Sequence, residues 1–318
     1  MDEPSIKRPV VIIGAPRSGT SLLFRTLSTS RHLWSLYRES HDIWNKFYRM
    51  AGKELKDDLL TESDLDEASR SFILNEFHKY TLNNFYLGYV AREYFLKKDA
   101  LKGALDLLGK TNLLYKNIFL KKYRIVEKTP KNCFRIPFIN KLFSDCKFIY
   151  LKRDGRSNIN SLIEGWKSPA RYVSGQAPNI PLNIKGYSTE ESGKYWKFAL
   201  PPSWQDYINK PLEEVCAFQW VSSNRFALDG LKSIEDERKY TINYEELTED
   251  TYSTVKKLCD YIEIPFSKNL RQISKNLPLV NYVTKPHKNK WKKNIDLIQN
   301  TYPMIEPMMK ELGYSFDD

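Results

Sequence analysis

Residues 10–23 read Val10-Val11-Ile12-Ile13-Gly14-Ala15-Pro16-Arg17-Ser18-Gly19-Thr20-Ser21-Leu22-Leu23, and this stretch decides the fold. Its first four residues form a continuous apolar run, which is typical of a strand buried on both faces of a parallel sheet. Gly14 ends the run, and leucines then recur at helical spacing at Leu22, Leu23 and Leu27. A strand, a glycine-containing loop and a helix in this order begin a phosphate-binding α/β fold.

The loop between this strand and this helix suits an anion. Gly14 and Gly19 let the backbone curl close to a phosphate, which can accept hydrogen bonds from consecutive N–H groups at the helix N-terminus. Arg17 adds a fixed positive charge, and Thr20 and Ser21 add hydroxyl groups. The residues predicted to bind phosphate are Arg17, Ser18, Gly19, Thr20 and Ser21.

The rest of the chain predicts one domain over residues 1–318, because no Gly/Ser-rich or Pro-rich linker divides it. Strand patterns at 123–126, 147–151 and 239–243 alternate with helical patterns at 156–162, 213–231 and 252–262. This alternation predicts an α/β fold of the P-loop type: three layers, with a mostly parallel central sheet flanked by helices. We also expect a mostly helical segment at about 40–122 and a long irregular, substrate-facing insert at about 167–211.

The charge of the chain favours an anionic partner. It carries 50 Lys and Arg against 39 Asp and Glu, a formal net charge of +11. Nucleic acid, an acidic membrane surface and a multiply charged small molecule are all compatible with such an excess. Nucleic-acid binding would require clustered basic residues with interleaved aromatics, a pattern that only residues 285–293 approach, so no nucleic-acid partner is expected.

A cytoplasmic location is predicted. Apolar runs such as 10–13 are far shorter than the ~20 residues that a membrane-spanning helix needs, and no signal-peptide pattern follows Met1. The charge leaves peripheral contact with a membrane open. The cysteines are scattered without a CxxC pair, as in reduced cytosolic proteins; they are Cys133, Cys146, Cys216 and Cys259.

The loop of residues 14–21 has the GxxxxG spacing of a nucleotide triphosphatase, but Thr20 stands where the lysine of those proteins is expected. The missing lysine argues against ATP or GTP hydrolysis. A tight turn without a ligand is the alternative for an isolated GxxxxG. The Pro-Arg-Ser-Gly-Thr-Ser context directly after a buried strand favours an anion site instead.

Residues 10–23 resemble the 5′-phosphosulfate-binding segment of the sulfotransferases that use 3′-phosphoadenosine-5′-phosphosulfate (PAPS). The form Pro-Arg-Ser-Gly-Thr is that of bacterial members and tyrosylprotein sulfotransferases, whereas the cytosolic hormone and phenol enzymes have a lysine where Arg17 stands. The resemblance implies PAPS as the donor, adenosine 3′,5′-bisphosphate (PAP) as the product, and a hydroxyl as the acceptor. Residues 14–21 are therefore called the donor loop below.

A second motif supports this resemblance at the next buried strand. PAPS carries a 3′-phosphate, and residues 148–161 are similar to the family's 3′-phosphate motif, including the spacing from Arg153 to Ser161. The resemblance assigns both residues to that phosphate. A polar turn with a local ion pair is the alternative for Arg153-Asp154-Gly155-Arg156 alone, but two family motifs in the right order favour the donor site.

Two later segments extend the resemblance. Residues 240–247 resemble the element whose tyrosine, here Tyr244, lies near the nucleotide; a strand end with an acidic turn is the alternative. Residues 287–293 match the position of a basic loop that closes over the donor, which assigns Lys290 to donor binding and Trp291 to packing. A solvated run of lysines is the alternative there.

The catalytic residues follow from the demands of sulfonyl transfer, which needs in-line geometry, charge stabilisation and removal of the acceptor proton. Arg17 supplies one charge. Lys128, in Glu127-Lys128-Thr129-Pro130, resembles the lysine near the transferred group in bacterial members; a strand-end ion pair between Glu127 and Lys128 is the alternative. No sequence pattern of metal ligands is evident, so metal-free transfer is expected.

The general base is assigned by position. Phenol-type enzymes have a histidine where Pro130 stands, so this chain departs from their pattern. Carbohydrate and tyrosyl types use a glutamate after the donor-loop helix, which makes Glu39 the first candidate and His41 the second. A surface or capping role is the alternative for both.

The acceptor is predicted only as a hydroxyl of a carbohydrate, a glycolipid, a tyrosine or a small metabolite. Aromatic residues of the insert would suit stacking on an acceptor or packing in the core; they are Tyr172, Tyr187, Tyr195, Trp196 and Trp204. The rival function is a P-loop small-molecule kinase or phosphotransferase, which would need the missing loop lysine and an acidic strand end for magnesium.

Overall fold

Four parallel strands form the central sheet of the computed structural model, which describes residues 5–36, 39–52, 56–82, 122–168, 181–187, 195–278, 283 and 287–316. The strands are β2 (Val10–Ile13), β4 (Val126–Lys128), β5 (Lys147–Lys152) and β6 (Lys239–Asn243), in the order β4-β2-β5-β6. Strand β2 is central, and its four residues are fully buried, as their apolar run predicts. A two-residue pair, β1 (Ser5–Ile6) and β3 (Lys122–Tyr123), lies beside this sheet.

Helices cover both faces of the sheet, which confirms the predicted three-layer fold. Alternate residues of β2 enter two different cores: Val11 and Ile13 pack in one, Val10 and Ile12 in the other. The first core includes helices α2 (His41–Met50), α3 (Glu67–Leu82), α4 (Ile136–Leu142), α5 (Gly155–Lys167), α6 (Leu212–Leu231), α10 (Ile295–Gln299) and α11 (Tyr302–Glu311). The second includes α1 (Thr20–Leu27), α7 (Tyr244–Glu249), α8 (Thr251–Tyr261) and α9 (Lys268–Lys275).

Parallel pairing brings the carboxyl ends of the strands to one edge of the sheet. Val10 pairs with Val126 on one side and with Lys147 on the other, so β2 begins level with both neighbours. The donor loop follows β2 at this edge, and the segments after β4, β5 and β6 emerge beside it. Ligands of open parallel sheets bind at this edge.

The predicted strand at 123–126 begins too early. The structure pairs only Lys122–Tyr123 with β1, and the strand of the main sheet is Val126–Lys128. Trp34 explains the break, because its backbone pairs with Arg124 and Val126 and inserts a bridge at Ile125. The helix predicted from residue 156 begins at Gly155, where the Asp154 carboxylate caps the backbone N–H of Ser157, and runs on to Lys167.

The segment predicted as mostly helical, 40–122, contains α2 and α3. Its leucine-spaced part at 101–118 lies outside the described residues. Within the insert, the described residues form only a short 3₁₀ turn at Trp204–Tyr207 and a bridge between Lys185 and Pro211, as an irregular segment should. The four cysteines are free and buried.

Candidate active site

The donor loop turns sharply between β2 and α1. Arg17 and Gly19 both have positive φ, 72° and 104°. There is a second reason why residue 19 must lack a side chain: a Cβ there would lie 2.3 Å from Cδ2 of Tyr244. A Cβ on Gly14 would lie 2.5 Å from the carbonyl oxygen of Leu151. The two glycines therefore allow the loop to pack closely against β5 and against the helix that follows β6.

The 3′-phosphate motif contacts the donor loop directly. Arg153 donates from Nη1 to the carbonyl oxygen of Arg17 at 2.8 Å. Arg17 donates from Nε to Oγ of Ser161 at 3.2 Å, across a sequence separation of 144 residues. Asn158 adds a third link, since its Nδ2 donates to the carbonyl oxygen of Pro16 at 2.9 Å. The two motifs thus form one surface at the carboxyl edge of the sheet.

Several polar groups on this surface are suited to an anion. Nε of Arg153 and Oγ of Ser18 are buried, and neither has a hydrogen-bond partner among the described residues. Burial lowers the pKa of Arg153, and its guanidinium lies 4.2 Å from the ring centroid of Tyr244. A bound phosphate would supply both the missing acceptor and the missing negative charge, so the residues present fit a phosphorylated donor.

The turn after β5 also contains the local ion pair that the sequence left open. It joins Arg156 to Asp154, with Nη2 and Oδ2 2.7 Å apart. Arg153 forms no ion pair within the described part of the chain. The ion pair of this turn therefore belongs to Arg156 and not to Arg153.

Lys128 contacts Glu39, which in turn contacts His41, on the other side of the donor loop. Its Nζ donates to Oγ of Ser21 at 3.0 Å and forms an ion pair with Oε1 of Glu39. The second oxygen of Glu39 lies 2.6 Å from Nε2 of His41. Burial raises the pKa of Glu39, but the charge of Lys128 and the hydrogen bond from His41 outweigh it and lower this pKa to about 2.

Glu127 does not pair with Lys128, so the alternative of a simple strand-end ion pair is wrong. Its buried carboxylate instead accepts a hydrogen bond from Oγ of Ser40 at 2.5 Å. Sequence reasoning missed Ser40 and Asn158 as parts of the site. The available signal was their position, because Ser40 lies between the two base candidates and Asn158 lies within the 3′-phosphate motif.

The C-terminal basic loop contacts α5. Nζ of Lys290 lies 2.5 Å from Oε2 of Glu164, and Nδ2 of Asn294 donates to Oδ1 of Asn160 at 2.7 Å. Trp291 is buried, and the guanidinium of Arg156 lies over its ring, 5.0 Å from the ring centroid. This is the position of a packing residue. Lys290 is therefore held by an acidic residue one turn beyond Ser161.

Most described aromatics of the insert belong to the core. Tyr187, Trp196 and Trp204 are buried, and Trp196 forms edge-on contacts with Trp166 and Trp204 at 5.3 and 5.0 Å. Only Tyr195 of this set is exposed in the described part, and Tyr172 lies outside it. Of the two interpretations, core packing therefore holds for three of these side chains.

Two further observations concern the described residues only. They contain no group of three or more His, Cys, Asp or Glu side chains that could hold a metal ion. None of their helices has the length and apolarity needed to cross a membrane.

The sequence matches the profile of the sulfotransferase family over residues 9–178, more than half of the chain. The matched region contains the donor loop, Glu39, Lys128 and the 3′-phosphate motif. The chain belongs to this family. It is a PAPS-dependent sulfotransferase, an enzyme that transfers a sulfonyl group, and the kinase alternative is not favoured.

Solved structures of similar fold include other sulfotransferases. The sulfotransferase domain of the curacin biosynthetic pathway is 15% identical, with 97% of this chain and 98% of that chain covered and a TM-score of 0.46. Sulfotransferase STF9 from Mycobacterium avium is 14% identical. Its match covers 97% of this chain and 78% of that chain, with a TM-score of 0.49. Mouse SULT7A1 complexed with PAP is 10% identical. Its match covers 94% of this chain and 84% of that chain, with a TM-score of 0.39. No curated protein sequence matches the chain.

Proposed function

We propose that PAPS binds across the two motifs at the carboxyl edge of the sheet. Arg17 and the residues Ser18, Gly19, Thr20 and Ser21 hold the 5′-phosphosulfate, and Arg153 and Ser161 hold the 3′-phosphate. The observation that carries this proposal is the contact of Arg17 with both Ser161 and Arg153. Both phosphates of PAPS are attached to one ribose, so their binding residues must be neighbours.

Further residues of the donor site are assigned by the same geometry. Tyr244 packs against Gly19 and under Arg153, which supports a place beside the nucleotide. Lys290 is assigned to the rim of the 3′-phosphate site, because its partner Glu164 lies on α5 one turn after Ser161. An anion at this site would compete with Glu164 for the ammonium group.

Lys128 stabilises the leaving oxygen in this proposal. PAPS supplies an activated sulfonyl group: its bond from sulfur to the 5′-phosphate oxygen breaks as the acceptor oxygen bonds to sulfur, and that electron pair leaves with PAP. Positive charge beside the departing oxygen lowers the barrier. The buried ammonium of Lys128 reaches Ser21 of the donor loop, and this contact supports its placement there.

Glu39 is assigned as the general base, with His41 as the second candidate. While Lys128 pairs with Glu39, the pKa of Glu39 is about 2, too low for efficient proton transfer near neutral pH. When the ammonium of Lys128 turns to the leaving oxygen, burial raises the pKa of Glu39 and makes it a stronger base. If His41 is the base, Glu39 orients its ring through the 2.6 Å contact.

A matched pair of variants separates the two candidates. Glu39→Gln keeps the size of the side chain and a hydrogen-bond partner for His41, whereas His41→Gln keeps the charge of Glu39. If Glu39 is the base, Glu39→Gln lowers kcat about 100-fold or more and His41→Gln about 10-fold or less. The reverse order would assign the base to His41.

The function itself is tested by transfer from labelled PAPS to a panel of carbohydrates, glycolipids, tyrosyl peptides and small hydroxylated metabolites. We expect label on at least one hydroxyl class with the wild-type protein, and a loss of ~100-fold or more in Arg17→Ala. Donor binding without transfer to any acceptor would reduce the proposal to a donor-binding protein.

A cytoplasmic location is part of the same proposal. Its support is that the four cysteines are buried and form no disulfide bond. Reduced cysteines of this kind are typical of cytosolic proteins, whereas disulfide bonds are typical of oxidising compartments. Fractionation of cells that express the tagged protein tests it, and recovery from an oxidising compartment would contradict it.

A further inference from the structure

The buried carboxylate of Glu127 accepts hydrogen bonds from three side chains. Ser40 donates from Oγ to Oε1 at 2.5 Å, and Thr129 donates from Oγ1 to the same oxygen at 2.6 Å. The side-chain amide of Asn132 donates to Oε2. None of these residues has a part in the chemistry proposed above, so the cluster is a structural one placed directly beside the reacting groups.

Ser40 is the point at which the base-bearing segment, residues 39–41, is fixed. Its backbone N–H donates to Oγ1 of Thr129 at 3.1 Å, in addition to the bond from its hydroxyl to Glu127. Its Oγ also accepts a hydrogen bond from Nε1 of Trp44 at 2.8 Å. The backbone N–H of Ser40 is therefore bonded to the residue after β4, and its hydroxyl is bonded to both β4 and α2.

Two successive residues of β4 hold two successive residues of the 39–41 segment. Lys128 pairs with Glu39, and Glu127 pairs with Ser40. Successive side chains of a strand point to opposite faces of the sheet, so the two contacts hold the segment from different sides. The segment cannot shift along β4 without breaking both.

Such a carboxylate costs stability. Burial raises the pKa of Glu127, and a buried charge without its own cation is expensive to keep. In return its three donors fix the distance between the base candidates and Lys128. Positioning of this kind matters because a displacement of about 1 Å can lower a rate by about 100-fold.

We propose that Glu127 is a positioning residue: through Ser40 it holds Glu39 and His41 against Lys128. The proposal rests on the proposed function, in which Glu39 is the base.

A double-mutant cycle tests it, with kcat measured at saturating PAPS and the acceptor that the panel identifies. We expect Glu127→Gln to lower kcat 10- to 100-fold in the wild-type background and less than threefold in the Glu39→Gln background, since the residue acts through Glu39. The Kd of PAP should change less than threefold in every variant. Thr129→Val, which removes the acceptor of the Ser40 N–H, should give the same pattern if Glu127→Gln does not fold.

Glu76→Gln is the matched control, because Glu76 is also a buried carboxylate bound by side-chain donors, Lys46 at 2.6 Å and Lys79 at 2.7 Å. It should lower the melting temperature without changing kcat. Equal losses from Glu127→Gln in both backgrounds would overturn the positioning role and leave Glu39 as the base. Full activity of Glu39→Gln would overturn the base assignment and the positioning role together.

Discussion

The two edges of the central sheet both carry basic residues, but they use them differently. At the amino edge, Arg8 and Lys147 contact one carboxylate, Oε1 of Glu263, at 2.6 and 2.8 Å. At the carboxyl edge, Arg153 has no carboxylate partner within the described residues, and its buried Nε lacks a hydrogen-bond acceptor. The two cations at the amino edge thus share one carboxylate, whereas the buried guanidinium of Arg153 does not pair with one in the described part of the chain.

This difference shows why the net charge of +11 does not locate the site by itself. Backbone conformation does not locate it either, since Arg8 has a positive φ of 46° at one edge and Arg17 one of 72° at the other. What distinguishes the carboxyl edge is that its buried arginine, Arg153, contacts the backbone of the donor loop, whose Ser18 hydroxyl is also buried without a hydrogen-bond partner among the described residues. Four predictions test the distinction.

Lys128→Met should have the largest effect. We expect kcat to fall about 100- to 1,000-fold, because the charge beside the leaving oxygen is lost. Lys147→Met is the matched control, since Lys147 also extends from a strand of this sheet to a glutamate; its kcat should change less than threefold. Steady-state transfer from labelled PAPS measures both, and equal losses would mean that the edges do not differ in function.

Arg153→Ala should weaken the binding of PAP about 10- to 100-fold, because a hydrogen bond to a charged group contributes roughly 1.5–3 kcal/mol. Adenosine 5′-monophosphate lacks the 3′-phosphate, so its Kd should change less than threefold. Calorimetric titration of both ligands provides the comparison. A similar loss for the two ligands would assign Arg153 to another part of the nucleotide.

The ion pair of Glu39 should contribute to stability only above acidic pH. The pKa of Glu39 is lowered in the folded protein to about 2, so the contribution is complete above the unfolded value of about 4.5 and is lost as the pH falls towards 2. Relative to Glu39→Gln, the wild-type protein should lose roughly 2 kcal/mol of unfolding free energy over this range. Urea unfolding at several pH values measures the difference, and a pH-independent difference would contradict the pairing.

Glu263→Gln should have the smallest effect. Its ion pairs are exposed, and such pairs contribute little to stability because solvent screens them. We expect a small decrease in melting temperature and unchanged kcat and PAP affinity. A large loss of activity would show that the amino edge is coupled to the site.

The position of the two motifs at one end of the sheet could be predicted from sequence because each motif depends on local features; their binding of the donor stays a prediction. The loop around Gly19 needs a particular φ and a small side chain, and the Arg153–Ser161 spacing fixes two groups on one turn and one helix. Each of these two features is determined by a single short stretch of sequence. The structure places these residues together, as the prediction required.

Features that depend on distant contacts were not predictable in this way. Glu127 accepts a hydrogen bond from Ser40, 87 residues earlier in the chain, whereas the local sequence offered only a pair with Lys128 as the alternative interpretation. The later start of the main-sheet strand, at Val126 rather than at residue 123, depends on Trp34. Likewise, nothing adjacent to Trp196 and Trp204 indicates that they pack against each other in the core.

Binding of PAP is the most direct test of the central claim that the carboxyl edge is a PAPS site. PAP should raise the melting temperature by several degrees at a concentration well above its Kd, because a ligand that binds only the folded state stabilises it. ATP with magnesium should leave the melting temperature unchanged under the same conditions. Stabilisation by ATP with magnesium and none by PAP would contradict the account.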